Sequence, residues 1–286
     1  MALRIGITTG DSAGIGPEIV RAALSSGKIP TDAEYRVIGE MPESAVGLPT
    51  PATARAALAA MEEAAAATKA GELDAVVTGP IHKARMRDIA FAFPGQTEFF
   101  AARWQSTDYA MCLTADPITV ALVTTHIALR EVPLALRQSE IVRVGKLLAG
   151  FLKQRGRAHP LIVVPGLNPH AGESGNMGHE EIEIIAPAVA ELSTTKIADF
   201  EGPLSADTLF FHLAQGKWDA ALCLYHDQGL IPLKLHGFDR GVNVTLGLPY
   251  PRTSPDHGTA FEIAGKNIAR PDSMIAAINL AVELAQ

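Results

Sequence analysis

Three histidines in this 286-residue chain stand directly after apolar, β-branched runs: His126 in Thr-Thr-His, His170 in Gly-Leu-Asn-Pro-His-Ala-Gly-Glu, and His226 in Tyr-His-Asp-Gln-Gly. Neutral imidazoles suit zinc or a similar divalent ion, and three of them leave positions open for substrate oxygens. Taken singly, each reads as readily as an ordinary surface or core histidine; only their shared place at the ends of expected strands joins them. Glu18, Glu98 and Asp227 have the chemistry of acids, bases or partners to these histidines. Asp207, in Pro203-Leu204-Ser205-Ala206-Asp207-Thr208, fits such a role and equally fits the acidic first turn of a helix.

A second group of residues suits an anion. Lys234, Asn243 and Arg252 flank an expected strand at Val242 to Leu246, and two cations with an amide can clamp a phosphate and a carboxylate. Arg252 follows Leu-Pro-Tyr-Pro and precedes Thr253-Ser254-Pro255-Asp256-His257-Gly258. That setting is turn chemistry rather than an exposed helical face, which favours a ligand role over a solvated charge. The glycines of Gly10 to Gly16 do not reproduce the dinucleotide fingerprint, and they read equally as a tight turn before a helix that Pro17 opens.

Short β-branched runs alternating with helical stretches position these residues, the pattern of a mostly parallel sheet in an α/β fold. Strands are expected at Arg4 to Thr8, Tyr35 to Gly39, Ala75 to Thr78, Thr119 to Thr124, Leu161 to Val164, Ala220 to Leu224 and Val242 to Leu246. Helices are expected at Pro17 to Leu24, Ala52 to Ala70, Ser139 to Lys153, Glu180 to Leu192, Ala206 to Ala214 and Ser273 to Leu284. The polar, glycine-rich loops fall where these strands end, and in open α/β sheets that is where ligands bind.

Composition sets the outer limits. Apolar residues make up 48% and charged residues 19%, as in a packed enzyme. A net charge of -7 argues against general affinity for nucleic acid but allows a local basic pocket. No apolar stretch reaches the ~20 residues that span a bilayer, so no membrane partner is expected. The start, Met1-Ala2-Leu3-Arg4-Ile5, lacks a signal peptide's pattern, which makes a cytoplasmic location the expectation. Cys112 and Cys223 lie in apolar runs and read as buried, inert thiols.

Seven strings resemble motifs of the 4-hydroxythreonine-4-phosphate dehydrogenase family: Gly10 to Glu18, Thr78 to Lys83, Thr124 to His126, Gly166 to Glu173, Gly202 to Thr208, Tyr225 to Gly229, and Gly241 to Ala260. The resemblance covers nearly the whole chain. Asp256 to Ala260 with Ile263-Ala264-Gly265-Lys266 is also similar to the nucleotide-binding stretch of isocitrate and isopropylmalate dehydrogenases, which bind NAD(P) without a Rossmann domain. The implied fold is a two-domain α/β/α, isopropylmalate-dehydrogenase-like one, with both termini in one lobe and the middle of the chain in the other.

The resemblance also implies NAD or NADP, with Gly258, Thr259, Ala260 and Gly265 at the coenzyme, and a divalent zinc, magnesium or cobalt ion on His126, His170 and His226. Gln96, Thr97, Lys234, Asn243 and Arg252 would contact the substrate, with Asp207 and Asp227 as candidates for metal or proton support. The implied assembly is a homodimer whose active site lies at the subunit interface. The implied reaction oxidises 4-phosphooxy-threonine to a 2-amino-3-oxo acid that loses carbon dioxide.

Two features depart from the family. Gln96 stands where relatives carry histidine, and glutamine retains an amide that can donate to phosphate but cannot become cationic. The chain is also shorter, with the shortfall expected between Gly39 and Ala75. Gln96 keeps a sister dehydrogenase open, acting on a phosphorylated sugar acid or an aromatic dihydrodiol acid. A non-redox metallohydrolase or a phosphometabolite-binding protein is the more distant alternative, against which the Gly258 to Lys266 stretch speaks.

Overall fold

The computed structural model describes residues 2–39 and 46–286. Residues 40–45, inside the stretch expected to be trimmed, lie outside that description. The chain divides into two compact units, one formed by the chain up to Asp108 and again from Asp239 onward, the other by Tyr109–Phe238.

The first unit runs β1 (Leu3–Thr8), α1 (Gly16–Leu24), β2 (Ala33–Ile38), α2 (Pro51–Lys69), β3 (Ala75–Thr78), α3 (Lys83–Asp88) and α4 (Gln96–Arg103). The second holds β4 (Ala110–Ala115), β5 (Ile118–Leu122), α5 (Val132–Ala135), α6 (Gln138–Gln154), β6 (Leu161–Pro165), α7 (Ala186–Thr194), β7 (Asp199–Leu204), α8 (Ala206–Ala214), β8 (Ala220–Cys223) and α9 (His226–Gly237). The first unit is completed by β9 (Val242–Leu246), β10 (Arg252–Pro255) and α10 (Asp272–Ala285).

In the first unit the strands lie in the order β2-β1-β3-β10-β9, parallel except for the antiparallel β10–β9 pair. In the second the order is β4-β5-β8-β6-β7, parallel except for the β4–β5 hairpin. This is the α/β class that the alternating runs imply. β3, β5 and β8 are buried at every residue. Their sequences are largely apolar, broken only by Thr78 in β3 and Thr119 in β5, because a strand covered on both faces has no side to give to water.

Local chemistry sets several boundaries. Thr50 caps α2 through a reciprocal pair, its Oγ1 accepting from the Thr53 amide while its own amide donates to Thr53 Oγ1. The small alanines of α2 let Met61 and Ala64 pack closely with Val76, Phe99 and Phe100 in the first unit's core. Gly16 opens α1 where a Cβ would stand 1.9 Å from the Thr9 carbonyl, so only glycine permits that entry. The second unit's core gathers Val120 and Leu122 of β5, Leu209 and Leu213 of α8, and Leu230 and Leu233 of α9.

Several elements were absent from the expected set, and two of them have a plain physical reason. α9 contains Gly229 and Pro232, residues that propensity counts against a helix. Gly229 is there because a Cβ would come within 3.0 Å of Cys223 Sγ and 3.1 Å of Val120 Cγ2, so its absence lets α9 lie close on β5 and β8. β10 is a four-residue strand bounded by Pro251 and Pro255, which reads as turn chemistry. β4, β7, α3, α4 and α5 also lie outside the expected set. The single helix expected from Glu180 is a π-helical turn, Glu181–Ile185, followed by α7. Pro187 brings no N–H to the first α-helical turn, and the wider turn accommodates that.

Phe99 of α4 is fully buried. Replacing it by Ala removes a large core side chain behind that helix and should cost about 3–5 kcal/mol, read as a lower denaturant midpoint.

Candidate functional site

Two polar constellations form, one on each unit. In the second unit, His126 follows β5, His170 follows β6 and His226 opens α9 after β8. The rings of His126 and His226 face each other with centroids 5.6 Å apart. Both line a pocket of about 240 Å³ whose wall includes Thr125, Leu129, Tyr225 and Asp227. His226 Nδ1 lies 2.7 Å from Asp227 Oδ1. An ionised carboxylate only accepts, so Nδ1 carries the proton and Nε2 keeps its lone pair for a ligand.

His170 does not complete a triad with this pair, since no group of three or more His, Cys, Asp or Glu side chains gathers into a metal-holding cluster among the described residues. It stands instead with Asp207. The hydrogen bond from Ser205 Oγ at 2.6 Å, with the charge of His170, holds the Asp207 carboxyl below its usual range.

His170 sits on an unusual backbone. His170, Ala171, Gly172, Glu173 and Ser174 all have positive φ, between 45° and 78°. Only one of the five is glycine, and each other residue costs about 1 kcal/mol or more in that region. The surroundings pin it. Glu181, buried at 3% exposure, accepts from the amides of Leu167 and Asn168, each at 2.7 Å, and from Asn168 Nδ2 at 2.9 Å. At Gly172 a Cβ would come within 2.6 Å of Glu181 Oε2, so glycine is required there.

Gln228 ties this loop to the next strand. Its Nε2 donates to the Gly166 carbonyl at 2.8 Å and its Oε1 accepts from the Leu224 amide at 2.7 Å. Thr124 Oγ1 in turn donates to the Leu224 carbonyl at 2.7 Å. The three histidine-bearing strand ends are thus linked side by side. Sequence reasoning missed Glu181 and Gln228; the string Tyr-His-Asp-Gln-Gly contained a signal for Gln228, and nothing local marked Glu181.

The first unit gathers the residues expected to bind an anion, apart from Lys234. Arg252 is buried at 3% exposure. Its Nη2 donates to Thr78 Oγ1 at 2.5 Å and its Nη1 to Asn243 Oδ1 and Thr245 Oγ1, both at 3.4 Å. Its Nε is buried without a partner. Burial lowers the Arg252 pKa to about 10, against the opposing charge of Glu98, so the group stays cationic at neutral pH.

Thr97, in the first turn of α4, shares a hydrogen bond with Thr245 at 3.3 Å. Gln96 Nε2 donates to the Gly79 carbonyl at 3.0 Å, while its Oε1 is buried without a partner. The amide group expected to donate to a phosphate is therefore engaged with backbone. Lys234 belongs to α9 of the second unit, its Nζ 5.8 Å from the Phe238 ring centre.

The expected coenzyme loop follows β10. The Thr259 carbonyl accepts from the Ile15 amide at 2.9 Å, and the Gly265 amide donates to Glu18 Oε2 at 3.2 Å. Ala260 and Gly265 have positive φ. A Cβ on Gly14 would reach within 2.6 Å of the Thr259 carbonyl oxygen, so the Gly10 to Gly16 turn serves as the support for this loop. Asp11 Oδ2 and Thr9 Oγ1 in that turn and His82 Nδ1 beyond β3 are also buried without partners.

Known proteins resemble the chain along most of its length. The family model described as pyridoxal phosphate biosynthetic protein PdxA matches residues 17–281. The 4-hydroxythreonine-4-phosphate dehydrogenase of Methylorubrum extorquens (strain PA1) is 49% identical over 245 residues, covering 84% of this chain and 70% of the relative. The D-threonate 4-phosphate dehydrogenase of Pectobacterium atrosepticum is 39% identical over 327 aligned positions, with both chains covered in full. The crystal structure of 4-hydroxythreonine-4-phosphate dehydrogenase from Klebsiella pneumoniae superposes with a TM-score of 0.85 at 37% identity, covering 100% of this chain and 99% of that one.

Removing the Glu181 carboxylate leaves the backbone amides of Leu167 and Asn168 without their acceptor, while Asn168 Nδ2 keeps only its bond to Glu180 Oε2 at 2.7 Å. Glu181→Ala should cost about 2–4 kcal/mol of stability and increase hydrogen exchange at Leu167 and Asn168. Unchanged exchange at those two amides would show that the loop is held by other means.

Proposed function

The chain belongs to the PdxA family, and on that premise we propose that it is an NAD(P)-dependent dehydrogenase oxidising the hydroxyl-bearing carbon of 4-phosphooxy-L-threonine. The product, 2-amino-3-oxo-4-phosphooxybutanoate, loses carbon dioxide to give 3-amino-2-oxopropyl phosphate. A bound NAD or NADP would supply the hydride acceptor, and the hydroxyl proton would leave separately. Arg252 carries this reading: it is a buried cation whose described hydrogen bonds all go to neutral oxygens, which suits a permanently anionic substrate group.

The residues divide the work. Arg252, with Thr97 and the first-turn amides of α4, holds an anionic end of the substrate. Asn243 and Thr245 fix the guanidinium in place. Asp227 holds the proton on His226 Nδ1, and Asp207, kept ionised by Ser205 and His170, is available as a proton acceptor. Gly258, Thr259, Ala260 and Gly265 form the coenzyme loop, braced by Ile15 and Glu18.

The donor set fits a divalent zinc, magnesium or cobalt ion in part, since His126 and His226 face one another as two nitrogen donors. When bound, such an ion supplies Lewis acidity toward the substrate hydroxyl. A homodimer in which a second copy contributes to each site would supply the third imidazole, with His170 as its source. The distribution of apolar surface supports that assembly. Apart from Leu48 and Ile268, every exposed large hydrophobic described, including Leu129, Phe211, Leu235 and Phe238, belongs to the second unit. Among the described residues no helix is long and apolar enough to cross a membrane.

The second reading, oxidation of D-threonate 4-phosphate, is favoured by the full-length similarity to a dehydrogenase of that name and by Gln96. A panel of both substrates with NAD and NADP, followed by the absorbance of the reduced nicotinamide, decides between them. Turnover of 4-phosphooxy-threonine with release of carbon dioxide is the expected result; turnover of D-threonate 4-phosphate alone would transfer the assignment to the second reading. His226→Ala should lose the bound ion by elemental analysis together with most turnover, and a metal-replete, active variant would exclude the histidine site.

A further inference from the structure

Gln96 is held at one end of its amide and open at the other. Its Nε2 donates to the Gly79 carbonyl at 3.0 Å. A carbonyl only accepts, so the amide cannot be turned round, and Oε1 is the free end. That oxygen is buried without a hydrogen-bond partner. Phosphate near neutral pH presents mainly acceptors, and an acceptor placed against it repels. Donors suited to an anion stand on neighbouring residues: Arg252 Nε, buried and also without a partner, and the Thr97 hydroxyl. Gln96 and Arg252 meet at one strand end, because Arg252 Nη2 donates to Thr78 Oγ1 and Gln96 Nε2 to the next residue's carbonyl.

We propose that Gln96 reads a hydrogen-bond donor on the substrate, the ammonium or hydroxyl on the carbon next to the one oxidised, while Arg252 and Thr97 take an anionic end. This rests on the phosphorylated hydroxy-acid reading above and adds the group on which selection acts. A histidine at this position can offer N–H, and charge when protonated, to an anion. Gln96 offers an acceptor instead. A substrate with only hydrogen on that carbon leaves Oε1 buried and unpaired, whereas one bearing an ammonium or a hydroxyl satisfies it.

The test compares kcat/KM for three substrates: 4-phosphooxy-threonine, threonate 4-phosphate, and 3-hydroxy-4-phosphooxybutanoate, which has no donor on that carbon. Wild-type protein should prefer the donor-bearing substrates by roughly 10- to 100-fold. Gln96→Ala should shrink that gap to below about threefold, chiefly by losing activity on the donor-bearing pair, and should leave inhibition by inorganic phosphate unchanged. Gln96→Glu gives up the donation to the Gly79 carbonyl but keeps an acceptor and adds charge, so it should shift preference toward the ammonium. An equal loss on all three substrates with Gln96→Ala, or weakened inhibition by inorganic phosphate, would overturn the proposal and make Gln96 a phosphate ligand. Should Gln96→Ala fail to fold, Gln96→Glu decides: no shift between ammonium and hydroxyl overturns the proposal. Absence of turnover on all three by the wild-type protein overturns the underlying functional reading, and this assignment falls with it.

Discussion

Arg252 brings a positive charge into the interior of the first unit, where water is almost excluded and the oxygens it reaches are neutral. Burying a cation without a carboxylate bonded to it costs several kcal/mol after relaxation, and the neighbouring hydroxyls and amide, with the charge of Glu98 nearby, offset only part of it. The strand arrangement makes the burial feasible. β10 lies parallel to β3 and antiparallel to β9. Arg252, its first residue, therefore reaches Thr78 at the end of one neighbour and Asn243 and Thr245 on the other. Shifting β10 by one residue would turn its side chains to the opposite face of the sheet and undo all three bonds. On the proposed function, an anionic substrate group would provide the missing compensation on binding.

The second unit meets a different requirement, which is precision. Its histidines lie on separate strand ends, and strand ends are where backbone is least constrained. Gln228 and Thr124 both bind the backbone of Leu224, so the ends of β5, β6 and β8 are held by side-chain bonds in addition to the sheet. Glu181 stabilises the left-handed stretch that begins at His170. Strained backbone of this kind persists where its surroundings over-determine it, and it tends to do so at functional sites.

Much of this was legible in the chain. The central strands β3, β5 and β8 could be read because a strand buried on both faces is a largely apolar run, and α2 because its alanines, Leu58 and Met61 suit a packed helix that Gly71 ends. β10 and α9 were not legible. Their defining contacts are long-range: Arg252 with Thr78, and Gly229 with Val120 and Cys223. Within a short window, Pro251 and Gly229 signal a break, and only the folded neighbours show that they permit an element. The histidines were visible by type and position, but their grouping was not, since spacing along the chain cannot show that His126 faces His226 while His170 stands with Asp207. Gln96 was seen as a departure from the family; the direction of its amide depends on the Gly79 carbonyl and lay beyond the sequence.

On the proposed function, the buried charge of Arg252 is kept for an anion and contributes nothing to folding. Calorimetric titration of the protein with inorganic phosphate, for wild type and Arg252→Met beside thermal unfolding of both, tests it most directly. A methionine of similar length removes the charge and keeps the packing. The variant should lose phosphate binding by at least about 100-fold while unfolding at the same temperature or higher. A variant that binds phosphate as wild type does, or that unfolds well below it, would contradict the claim and make Arg252 a structural residue.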